Sequence, residues 1–97
     1  MLSVHPAAEA EFLDAVIYYE SRVSELGSRL VDEFERLTDL IVKNPEAWQV
    51  IGHESIRKAS FKHFPMSIIY RHSSDTIEVL AIAHDKRRPQ YWMSRTS

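Results

Sequence analysis

The runs Met66-Ser67-Ile68-Ile69-Tyr70-Arg71 and Thr76-Ile77-Glu78-Val79-Leu80-Ala81-Ile82-Ala83 decide the fold. Both are rich in β-branched residues, and the polar His72-Ser73-Ser74-Asp75 between them supplies a turn, so the pair predicts an antiparallel hairpin. A turn centred on Ser74-Asp75 sets Arg71 opposite Glu78, an attractive cross-strand pair, and a one-residue slip is the competing register. Val79 to Ile82 is apolar on both faces, which predicts a central strand. Just upstream, Ile56 to Lys62 alternates between Ile56/Lys58/Ser60/Lys62 and Arg57/Ala59/Phe61, the pattern of a strand with one wet face, and Phe64-Pro65 separates it from the hairpin.

Toward the N-terminus the period changes. Leu2 to His5 is short and partly apolar and predicts an edge strand running into Pro6, which suits the first turn of a helix because its missing N–H has no partner there. Ala8, Phe12, Ala15, Tyr19, Val23 and Leu26 then recur at helical spacing, with Glu9, Glu11, Asp14, Glu20 and Arg22 largely elsewhere on the wheel. Gly27 is the expected end of this helix and Ser28 the expected N-cap of a second, whose stripe is Leu30, Phe34, Leu37 and Ile41 and whose stop is Asn44-Pro45. So short a connection folds the two helices into an antiparallel hairpin. Pro45 to Glu54 reads as a loop anchored by Trp48. The expected architecture is α+β in the order β-α-α-β-β-β. An N-terminal strand and a helical hairpin pack on one face of a small antiparallel sheet, in a single domain over 1–97, leaving the other face and the strand ends exposed.

Charge is divided unevenly along this plan. From Arg57 to Ser97 there are eight Lys or Arg against three Asp or Glu, and before Arg57 four against eleven, so formal charges of +5 and −7 hide inside a net −2. Cations carried on strands and at strand ends suit a polyanion or an acidic partner. Cysteine is absent, which excludes disulfides and thiol catalysis and suits a reducing cytoplasm. No long apolar run predicts a membrane span, and acidic Glu9 and Glu11 argue against a signal peptide. His5, His53, His63, His72 and His84 are scattered, and Gly27 and Gly52 stand alone, so neither a metal site nor a phosphate loop is expected, and no cofactor.

The order of these elements, with Arg57 on the first meander strand, Phe64-Pro65, Ile69-Tyr70, Ala81-Ile82-Ala83-His84 and then Arg87-Arg88-Pro89-Gln90-Tyr91-Trp92, resembles the RelE/ParE toxin superfamily of bacterial toxin–antitoxin systems over nearly the whole chain. Val4-His5-Pro6-Ala7-Ala8-Glu9-Ala10-Glu11 and Leu26-Gly27 are similar to its plasmid-stabilisation members. The resemblance implies a growth-inhibiting toxin neutralised by a small antitoxin, on a sheet packed against a helical hairpin. It implies two targets: the RelE-like branch cuts messenger RNA on the ribosome, and the ParE-like branch poisons DNA gyrase.

RNA cleavage by 2′-hydroxyl attack needs proton-transfer groups and cations around the phosphorane. Lys58, Lys62, Arg71, Arg87 and Arg88 are candidates for holding phosphate, and His84 or Tyr91 for moving protons. Against this stands the net charge of −2, low for a protein that docks on ribosomal RNA. The long hairpin and the Arg87–Trp92 ending look ParE-like, so gyrase is the favoured target, with Arg57, Lys62, Lys86, Arg87 and Arg88 as target-binding residues. Simpler roles compete. Arg57 and Arg71 suit pairing with Glu54 or Glu78, His84 suits a hydrogen bond that fixes the tail, and Tyr91 and Trp92 suit packing of that tail. An inactive relative that only binds antitoxin is the third alternative.

Overall fold

The computed structural model describes residues 1–52 and 55–96. Glu54, and with it the suggested pairing to Arg57 or Arg71, lies outside the described residues. Strand β1 (Leu2–Val4) leads into helices α1 (Pro6–Arg22) and α2 (Leu26–Lys43), followed by β2 (Gln49–Val50), β3 (Ile56–Ser60), β4 (Met66–Ser73), β5 (Thr76–His84) and a closing 3₁₀ turn, Met93–Thr96. No helix among the described residues is long and apolar enough to cross a membrane.

His5 starts α1, its Nδ1 accepting from the Ala7 N–H at 3.0 Å, and Pro6 follows in the first turn. The helix ends at Arg22, not at Gly27, and Ser28 is not a cap. Glu25, in the left-handed region at φ 72°, precedes α2, and Gly27 sits inside that helix's first turn. The reason lies in the neighbouring helix. A Cβ on Gly27 would stand 2.8 Å from the Val16 carbonyl oxygen and 3.0 Å from Glu20 Cβ. The Glu20 carboxylate meanwhile accepts from the Glu25 and Gly27 N–H groups at 2.9 and 3.0 Å, satisfying donors that α2 leaves free. Gly27 therefore serves the close approach of two helices rather than the termination of one.

The five strands run in the order β1-β5-β4-β3-β2. The meander β3-β4-β5 is antiparallel as expected, and Arg71 lies opposite Glu78 with a 2.8 Å ion pair. β1 joins in parallel beside β5, Leu2 opposite Ile77 and Val4 opposite Val79, so the sheet is mixed. The loop after α2 contributes the short β2, paired to Arg57 and Lys58. Two side chains hold that loop: the Arg57 guanidinium donates to the Glu46 and Trp48 carbonyls at 3.1 and 2.7 Å, and the Tyr70 hydroxyl donates to the Pro45 carbonyl at 2.6 Å. β3 ends at Ser60; the Phe61 N–H still donates to the Met66 carbonyl at 2.9 Å, and the amides of Lys62 and His63 then turn away to donate to the Glu33 carboxylate on α2.

A bulge explains why β5 is apolar on both sides. Ile69 faces Ala81 and Tyr70 faces Val79, leaving Leu80 as the extra residue. Val79 and Ile82 then enter the core under the helices with Ile68, Tyr70, Leu30, Leu37 and Ile41, while the adjacent Leu80 and Ala81 both turn to the other face. That face is not bare, as the sequence suggested. Ile56, Ile69, Leu80 and Ala81 are covered by Trp92, which is 3% exposed, flanked by Tyr91 and Met93 of the tail. The expected packing of Tyr91 and Trp92 onto the domain is what closes it.

Candidate functional site

The last strand delivers its cations into a tight turn. At the end of β5 the His84 Nδ1 accepts from the Lys86 N–H at 3.1 Å, the Arg87 N–H donates to the His84 carbonyl at 3.0 Å, and the Asp85 N–H donates to the Pro65 carbonyl at 2.8 Å. Every peptide group so engaged fixes the turn, and Lys86, Arg87 and Arg88 are left with exposed side chains. Gln90, in the left-handed region at φ 63°, then bends the chain back over the sheet. Between turn, tail and sheet lies a cleft of about 290 Å³, lined among others by Lys58, Ser67, His84, Arg87 and Arg88.

The tail beyond this turn is tied down by one carboxylate. Glu11 on α1 accepts from the Tyr91 hydroxyl at 2.8 Å, from both Arg95 terminal nitrogens at 3.0 Å, and from the Ile82 N–H at 3.0 Å. Arg95 also donates to the Leu80 carbonyl at 3.0 Å. Leu80 and Ile82 lie beyond the stretch of β5 that β1 pairs, so these two side chains satisfy backbone groups on an otherwise open strand edge. Burial pushes the Glu11 carboxyl up, yet the hydrogen bonds from Arg95, Tyr91 and Ile82 outweigh it and hold it below the ordinary carboxylate value. Arg95 is raised, chiefly by its hydrogen bonding to Glu11. Burial first, and then the bond to Glu11, push the Tyr91 hydroxyl up to about 12. The Arg87 guanidinium stacks on the Tyr91 ring at 3.9 Å from its centroid.

The residues singled out by sequence are thus divided. Lys58, His84, Arg87 and Arg88 share the cleft, with Lys86 on the same turn. Tyr91 borders it, but its hydroxyl is committed to Glu11. Arg57 is held by loop carbonyls, Lys62 sits exposed in the β3–β4 turn, and Arg71 is tied to Glu78 and, at 2.7 Å, to the Thr96 carbonyl. Glu11 and Arg95 went unrecognised as a pair. A signal for Glu11 existed, since it stands three residues after Ala8 and four before Ala15, on the apolar stripe itself.

A second surface lies on the far side of the turn. A groove of about 580 Å³ runs between α1 and the β4–β5 end of the sheet, with Tyr18, Tyr19, Met66 and Ile82 along it and His84 and Arg87 among its lining residues. Leu13 and Ile17 on the same helix are 53% and 67% exposed.

Residues 2–89 match the family described as the ParE toxin of the type II toxin–antitoxin system parDE. Among solved structures the chain is similar to one described as the chromosomal ParDE toxin–antitoxin system from P. aeruginosa, with a TM-score of 0.73 and 19% identity over 86% of this chain and 92% of that one. At that identity the likeness concerns the fold. No curated protein matches the sequence. With the family pattern spanning nearly the whole chain and the fold agreeing, the protein belongs to the ParE toxin family of type II toxin–antitoxin systems.

Proposed function

We propose that this toxin acts in the cytoplasm by binding and poisoning DNA gyrase through the exposed turn Lys86–Arg88, and that a cognate antitoxin neutralises it. The observation that carries the choice of gyrase over RNA is the state of Tyr91. A hydroxyl pushed up to about 12 and bonded to a fully engaged carboxylate is a poor proton shuttle, which leaves His84, whose Nδ1 already accepts from the Lys86 N–H, as the remaining candidate beside the cationic turn for acid–base work. Cleavage by in-line attack asks for two such groups. Family membership supports the same direction, because gyrase is the target that the ParE resemblance implies.

One observation favours the nuclease alternative, namely that Lys58, His84, Arg87 and Arg88 line one cleft of a size for a nucleotide phosphate. Purified protein assayed in parallel for loss of gyrase supercoiling and for ribosome-dependent mRNA cleavage separates the two. Inhibition without cleavage is the expected result, and cleavage without inhibition sinks the gyrase reading. Unimpaired growth at verified levels of soluble protein would instead mark an inactive antitoxin-binding relative.

For the antitoxin, the groove beside α1 offers apolar surface with Asp14 in its lining and Arg87 at the cationic turn, a fit for an amphipathic segment whose acidic residues meet Arg87 and which orders on binding. Such a partner raises the melting temperature by mass action. Tight binding with no rise at saturation contradicts that placement.

A further inference from the structure

We propose that Glu11 is the positioning residue of the cationic turn: it anchors Tyr91 and Arg95 to α1 and the β5 edge, and Tyr91 in turn carries Arg87 on its ring, so that Lys86–Arg88 is presented preformed. The inference rests on the reading that this turn engages the target. Four hydrogen bonds, one from a hydroxyl, two from a guanidinium and one from a backbone amide, use the acceptor sites a carboxylate has. Nothing remains with which Glu11 could accept a substrate proton. Its side chain and that of Arg95 are 17% and 16% exposed, so the clasp is largely shielded from water.

The chain places this clasp between residues about as far apart in sequence as its length permits, Glu11 with Tyr91 and Arg95. A surface arginine normally samples many rotamers, and ordering it on contact weakens binding. Here the Arg87 guanidinium already rests on a ring whose hydroxyl is fixed. Contact with the target then orders less, and Glu11 contributes to potency without touching it.

The test compares the full-length wild type with Glu11→Gln, Tyr91→Phe and the double variant Arg87→Ala/Arg88→Ala. Two readouts are taken: inhibition of purified gyrase, and the ring-current shift of the Arg87 side-chain protons by NMR, which a purely stabilising residue would not control. Glu11→Gln is expected to remove most of the Arg87 shift and to weaken inhibition about tenfold, the loss of a preordered contact. Tyr91→Phe keeps the ring and the Glu11–Arg95 pair and is expected to reduce the shift partly and inhibition roughly two- to threefold. It carries the test should Glu11→Gln fail to fold. An inactive double variant together with wild-type inhibition, or an unchanged Arg87 shift, in both single variants overturns the positioning role alone. Full inhibition by the double variant overturns the underlying reading of the turn, whatever Glu11 does.

Discussion

The two faces of the sheet are closed by different physics. Under the helices, Leu30, Ile41, Ile68, Tyr70 and Val79 are fully buried among apolar neighbours, and the covering layer is a hairpin of two long helices. Opposite, a short tail inserts one large side chain, Trp92, and is secured at its margins by polar contacts from Glu11 and Arg71. The first face defines whether the chain folds. The second is a latch on a domain already folded, and it is the latch that carries the cations.

This contrast is open to direct challenge. Ile68→Ala is expected to produce the largest effect, a global loss of about 2–5 kcal/mol in denaturant unfolding, because the cavity lies where the structure cannot collapse. Trp92→Ala removes a larger side chain yet is expected to cost less globally, on the order of 2 kcal/mol, since the tail can open by itself. Hydrogen exchange reads the difference: amides of Met93 and Arg95 should lose protection while those of β4 keep it. Equal loss in both places would break the distinction between core and latch.

Acid sharpens it. Both Glu11 and Glu33 titrate below the ordinary carboxylate value, in each case because hydrogen bonds outweigh the upward push of burial, those to Glu33 coming from Lys62 and His63. A depressed carboxyl contributes its stability above its unfolded value and loses it as pH falls through the folded one. Melting temperature should therefore fall on acidification below about pH 4.5, the unfolded range. Glu33→Gln should flatten that fall, and Glu11→Gln should flatten the acid release of the tail seen by exchange. A slope untouched by Glu33→Gln would mean that the β3–β4 turn is not held by this charge. The smallest effect belongs to Glu78→Gln: with both partners of its ion pair about a third exposed, a change under about 1 kcal/mol is expected.

What the sequence disclosed follows from how local each signal is. The second helix's stripe, the hairpin and the Arg71–Glu78 register depend on residues a few positions apart and stand in the structure, whereas the first stripe holds only from Ala8 to Tyr19, since Val23 lies exposed beyond the end of α1 and Leu26 opens α2. Gly27 misled because a helix stop and a close helix crossing ask for the same residue, and only the position of Val16 and Glu20 distinguishes them. Two-residue β2 carries too short a pattern to register at all. For the site, the clustering of Lys86, Arg87 and Arg88 was visible and so was the packing of Trp92, whereas the Glu11–Arg95 pair spans the chain from end to end. Arg57 shows the converse, a cation whose place on a strand is visible in the sequence while the backbone carbonyls of Glu46 and Trp48 that its guanidinium meets are not.

The bulge at Leu80 has an effect on everything after it. Side chains alternate along a strand with a period of two, so one inserted residue shifts the remainder by half a period. Were the same residues paired without the bulge, strict alternation would send Ala83 to the side His84 now takes and turn the polar turn about by half a revolution relative to the helices. The latch would then meet the wrong side of the sheet with every residue of the site still present in the chain. In this small protein the phase of a single strand is part of the site's specification, as much as the cations it delivers.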